Sequence, residues 1–157
     1  MQTGLLHLHN LLRWVILILL LLSILKAYSG WSGKKAFAAA DKKTWLFTMI
    51  AGHITLLLGL YQVAMGRYGI FSYTPPEGTV WIKDIFLRFY WMEHPLMMIL
   101  SIVFITLGHG MAKKAVSDEI KYKKALIYFC VALLLIIVAV PWQGREIVGR
   151  PFFPGIG

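Results

Sequence analysis

At 157 residues, with 59% hydrophobic content and a mean hydropathy of +0.69, the chain is too apolar for an ordinary water-soluble domain. A formal net charge of +9 would suggest nucleic acid in a soluble protein, but the basic residues cluster between apolar blocks, so no nucleic-acid partner is expected. There is no nucleophile–base constellation, phosphate loop or thiolate cluster to support a hydrolase or an ATPase, and the single Cys130 excludes an intrachain disulfide.

Four apolar blocks, 5–25, 45–65, 90–111 and 125–140, approach the ~20 residues a helix needs to cross a bilayer. They predict an all-α integral membrane four-helix bundle forming one domain, 1–157, with spans near 5–26, 44–65, 90–112 and 122–142. Tyr122 and Trp142 serve as interfacial anchors for the shortest block. The first block has no basic residues before it and no small-residue cleavage site before Lys26, so it reads as a retained helix rather than a signal peptide.

Lys26, Lys34, Lys35, Lys42 and Lys43 flank the first connection, and Lys113, Lys114, Lys121, Lys123 and Lys124 flank the third. The positive-inside rule then places both connections in the cytoplasm and both termini outside, an N-out/C-out topology in what reads as a bacterial inner membrane. Arg67, Lys83 and Arg88, in or beside the second connection, lie on the opposite side. Asp41 is a candidate cap for the second helix, and Ser117 or Asp118 for the fourth.

The second connection, 66–78, has the glycines and prolines of a loop. The mixed apolar and charged stretch 80–89 reads as an amphipathic outer-face segment, either in the interface or as an extension of the third helix. Pro95 either opens or kinks the buried part of that helix. Cys130, mid-span in the fourth helix, reads as a small buried packing residue. The tail 141–157, with Trp142, Arg145, Arg150, Phe152 and Phe153, is expected to fold back over the outer end or to serve as an interfacial anchor.

The chemistry lies in five histidines, His7, His9, His53, His94 and His109, four of them in or at the rim of spanning segments. Ionisable or metal-binding side chains at that depth are costly and mark functional sites. Counting inward at 1.5 Å per residue from the lysine-rich ends puts His9 and His94 at nearly one level, each within about one turn of the outer surface. Two imidazoles at one depth on helices that are diagonal in an up–down bundle suit the axial ligands of a bis-histidine haem. His7, two residues from His9, points to another side, toward a second core-lining position, a quinone or a partner subunit.

His53 and His109 are candidates for an inner haem iron, although their depths differ by about 8 Å, a gap that tilt would have to absorb. Gly52, Gly108 and Gly110 beside them permit either a close planar group or tight helix packing. Arg13, one turn after His9 on the same face, calls for haem propionates or for Glu93. Tyr61 and Gln62 are candidates for a quinone carbonyl or for helix-to-helix hydrogen bonding. Met92, Met97, Met98 and Met65, near the outer histidines, offer a competing copper chemistry, since thioethers and imidazoles suit Cu(I).

The run Gly4-Leu5-Leu6-His7-Leu8-His9-Asn10-Leu11-Leu12-Arg13-Trp14, with Gly52-His53 and Glu93-His94, resembles a family of short four-helix membrane proteins labelled cytochrome b-like. Pro141-Trp142, Arg145 and Arg150-Pro151 are similar to that family's closing pattern, so the resemblance covers the whole chain. It implies haem b held by membrane histidines and a respiratory electron-transfer role. The expectation is therefore a b-type cytochrome with one or two haems, exchanging electrons with quinone or an outer redox partner, and an electron carrier or oxidoreductase subunit rather than a stand-alone enzyme. A non-haem accessory subunit of a larger membrane complex and a copper-handling protein are the alternatives.

Overall fold

The structure, a computed structural model, describes residues 2–152. Four helices, each long and apolar enough to cross a membrane, form an up–down bundle: α1 (Gln2–Ser32), α2 (Ala39–Met65), α3 (Ile85–Lys113) and α4 (Asp118–Ala139). α1 and α3 each pack on α2 and α4, so they stand diagonally across the bundle, as sequential antiparallel packing gives. Lipid contact follows from the outer faces, where Leu11, Ile18, Leu25, Leu57, Val103 and Leu134 stay exposed. Cys130 also lies exposed on α4, which corrects the expectation of a buried packing residue.

The two ends of the bundle are built differently. At the lysine-rich end the interior is aromatic: Phe37, Trp45, Tyr122 and Phe129 pack with ring centroids 5.0–6.0 Å apart. Asp41 ties this end together, accepting from Lys26 Nζ at 3.1 Å and from the Tyr122 hydroxyl at 2.5 Å. Asp41 lies inside the first turn of α2 rather than at its cap, and its other link there is to the Ala38 N–H at 3.4 Å. Ser117 caps α4 through the Ile120 N–H, while Asp118 accepts from the Phe37 N–H at 2.9 Å.

Mid-bundle contacts use small polar residues, as expected where lipid supplies no hydrophobic drive between helices. The Ser23 and Thr48 hydroxyls pair at 2.8 Å between α1 and α2, and Ser101 donates to the Ala132 carbonyl at 3.0 Å between α3 and α4.

Toward the lysine-poor end α3 is not a uniform α-helix. The stretch 80–84 is a turn, Asp84 caps Ile85 by accepting from the Leu87 N–H at 2.8 Å, and the helix widens into a π turn over Phe89–Glu93. The wide turn ends just before Pro95, whose missing N–H and ring demand room at the carbonyl four residues back. α3 thus runs through the proline, and 85–89 is a helical extension rather than a separate interfacial helix. Past α4, residues 141–152 fold back across this end as a strap, closed by the Arg150 N–H on the Pro141 carbonyl at 3.0 Å. Phe153, expected to share in this strap, lies outside the described residues.

Candidate functional site

A cavity of about 480 Å³ occupies the lysine-poor half of the bundle, a size suited to a substantial organic ligand. Its floor is Ile16, Gly52 and Ile102: a Cβ added at Gly52 would stand 2.8 Å from Ile102 Cδ1, so the space closes there. His9 enters from α1 and His94 from α3, with Met98, Ile136 and Val140 completing the apolar wall. The cavity is largely hydrophobic, with a few convergent polar groups, which is the usual make-up of a cofactor site.

Each imidazole is held by a specific neighbour. His94 Nδ1 lies 2.8 Å from the Ala139 carbonyl oxygen. A carbonyl only accepts, so Nδ1 carries the proton and donates, which leaves Nε2 as the ring nitrogen available to a ligand. Metal-ligating histidines are commonly oriented in this way. His9 rests on Gly59, where an added Cβ would be 3.1 Å from His9 Cε1. His9 Nδ1 is buried and no hydrogen bond of normal geometry satisfies it, although the Thr55 backbone lies beside the ring.

Three guanidiniums border the same space: Arg13, Arg150 and, from an exposed position, Arg67. Arg13 is 8% exposed and donates from Nη2 to the Phe152 carbonyl at 2.8 Å, but its buried Nε has no partner. The expected Arg13–Glu93 pair does not form, because Glu93 turns to Arg88 at 2.7 Å. Arg150 donates from Nε to the Tyr90 hydroxyl at 2.9 Å and lies over the rings of Tyr68, Phe86 and Tyr90. The Tyr90 hydroxyl in turn donates to the Val148 carbonyl at 2.6 Å, tying the strap to α3. Arg150 and Tyr90 were not among the site residues expected from sequence, and no local signal could have found them. Arg150 is distant along the chain from α1 and meets this space only because the strap folds back.

The other candidates separate. His7 borders the cavity from an exposed position on α1. Gln62 and Tyr61 also border it; the Gln62 amide donates to the Leu5 carbonyl at 3.1 Å, and Tyr61 is exposed. Of the methionines singled out for copper, only Met98 lines the cavity, and Met92 and Met65 are exposed. Among the described residues no group of three or more His, Cys, Asp or Glu is arranged to hold a metal ion.

Neither His53 nor His109 lines that cavity. His53 is exposed on the outside of α2, with Nδ1 donating to the Met49 carbonyl of its own helix at 2.9 Å. His109 is buried near the lysine-rich end, and its Nδ1 is unpartnered. The planar group that Gly108 admits is the Phe129 ring, since an added Cβ would stand 2.5 Å from Phe129 Cε1. The interior at that level is occupied by protein side chains.

No family model matches the chain, and no curated protein or solved structure is significantly similar to it.

Proposed function

We propose that this protein is a membrane b-type cytochrome with one haem in the cavity between α1 and α3, where His9 and His94 would hold the iron. The observation that carries the reading is the joint placement of His9 and His94 on one apolar cavity of about 480 Å³. Iron in such a ring takes up and releases one electron at a time.

The side chains suit that group. His94 presents its Nε2 lone pair because Ala139 holds the other nitrogen. His9 brings a second imidazole to the same space, its buried Nδ1 beside the Thr55 backbone. Gly59 leaves room for the His9 ring, and Met98, Ile102 and Ile136 exclude water from the centre. The protein's part is to position the two rings, to fix one tautomer and to keep the surroundings apolar, which together set the reduction potential.

With the lysine-rich loops in the cytoplasm of a bacterium, this centre lies in the outer half of the inner membrane, where it exchanges electrons with a quinone or an outer-face redox partner. One haem is proposed rather than two, because neither His53 nor His109 lines this cavity and His53 is exposed on the outside of α2.

The test is the reduced-minus-oxidised spectrum of the purified protein together with pyridine haemochrome per polypeptide. A b-type α-band at one haem per chain is the expected result. Absence of the band after expression with ample haem would remove the proposal.

A further inference from the structure

Arg13 and Arg150 carry positive charge beside an apolar cavity, and among the described residues neither has a carboxylate partner. The ion pairs there are Lys26–Asp41, Arg88–Glu93 and Lys121–Asp118, all elsewhere. An arginine at this depth without a counter-charge is expensive, because burial removes the water that would otherwise stabilise it. Arg13 is the sharper case: it is more than nine-tenths buried and its Nε is unpartnered. Its compensation is a single carbonyl and two indole faces, with the guanidinium carbon 5.4 Å from the Trp14 centroid and 5.6 Å from that of Trp142. Arg150 is sheltered in the same manner, by three rings, one of which, Tyr90, also accepts from its Nε.

The two cations are neighbours through the strap. Arg13 bonds the carbonyl of Phe152, two residues beyond Arg150, so the backbone anchors of the pair are at most about 7 Å apart. Of the other basic groups at this end, Arg145 donates to the Val138 and Val140 carbonyls, Arg88 pairs with Glu93, Lys83 is exposed, and Arg67 borders the cavity from an exposed position over the Tyr68 ring, where water already stabilises its charge. Two sheltered guanidiniums bordering one apolar, imidazole-lined space fit an amphiphile with a flat apolar body and two acid groups on one edge.

We propose that Arg13 and Arg150 form an anion clamp that takes the two carboxylates of the tetrapyrrole, so that the cavity selects a dicarboxylic porphyrin and fixes its orientation toward the strap. The inference rests on the tetrapyrrole reading above, and it assigns the recognition of the ring's acidic edge to residues that do not touch iron. The clamp would neutralise both cations when the ligand enters, and it would hold the acid edge even where no metal bond forms.

Iron-free porphyrins separate the clamp from axial ligation. Protoporphyrin IX and its dimethyl ester are titrated into the full-length, haem-depleted protein in detergent, with quenching of tryptophan fluorescence as the readout. The expected result is tighter binding of the diacid than of the diester by about tenfold or more, which corresponds to ~1.4 kcal/mol per tenfold. Arg13→Gln and Arg150→Gln should each cut that preference severalfold, while Arg13→Lys and Arg150→Lys, which keep the charge and serve as folding controls, should retain part of it. His94→Ala should lose the b-type spectrum with haem yet keep the diacid preference with the iron-free ring.

Equal binding of diacid and diester by the unaltered protein overturns the clamp, even if the haem spectrum is present. A preference that survives both glutamine substitutions also overturns it, by placing the anion elsewhere. A diacid preference without any b-type spectrum on adding haem would sink the axial-ligand reading and leave the clamp standing. Failure of either porphyrin to bind ends both.

Discussion

His94 on α3 is joined to Ala139 at the end of α4 by a 2.8 Å hydrogen bond from the ring Nδ1–H to the backbone carbonyl. The carbonyl lies in the last turn of α4, where helix carbonyls lack intrahelical partners, so the bond satisfies an orphan acceptor and orients the imidazole at once. The π turn of Phe89–Glu93 immediately precedes His94 and sets the rotation at which its ring leaves α3.

If His9 and His94 are the ligands, His9→Ala and His94→Ala should each lower bound haem on the order of tenfold or more, as loss of an axial ligand requires. His109→Ala should leave haem per chain unchanged. Pyridine haemochrome on the purified variants checks this, and full haem content in His94→Ala would refute the assignment.

Gly59 is the close approach that seats the His9 ring, with an added Cβ 3.1 Å from Cε1. Gly59→Val should displace the ring and weaken haem retention by about tenfold (~1.4 kcal/mol), with a smaller effect for Gly59→Ala. Transfer of haem to apomyoglobin, followed optically, measures the loss.

Tyr122 donates to Asp41 at 2.5 Å from a fully buried position at the other end of the bundle. Tyr122→Phe should cost ~1–2 kcal/mol of stability, the size of a buried hydrogen bond to a charged acceptor partly shared with Lys26. Thermal unfolding in detergent should show a lower Tm, while the haem spectrum of the folded protein stays the same.

Gly108 admits the Phe129 ring, and Gly108→Ala should overpack this contact by ~1–3 kcal/mol. A second change, Phe129→Leu, should recover part of that loss, because the two sites are in contact and their effects are not additive. A double-mutant cycle on Tm is the check.

His53 makes one hydrogen bond, within its own helix, and its ring is exposed on the outside of α2. His53→Leu should change stability by no more than ~0.5 kcal/mol and leave haem per chain at the level of the unaltered protein. A halving of haem content in this variant would instead establish a second site that uses His53.

The spans, their number and their alternation follow from sequence alone, because hydropathy adds along a segment and length is set by bilayer thickness. The same holds for the likeness in depth of His9 and His94, which needs only the helical rise and the positions of the lysines. Depth is one coordinate, and rotation about the helix axis is the other. Each residue advances the side chain by about 100°, so modest changes of packing decide whether a histidine faces the core or lipid. That rotation turned His53 outward and brought His9 inward. It also handed Gly108 to Phe129, since a glycine offers a gap but does not name its occupant. Arg150 and the Ala139 carbonyl join the site only where strap and helices meet in space, because contacts between distant segments leave no local trace in the chain.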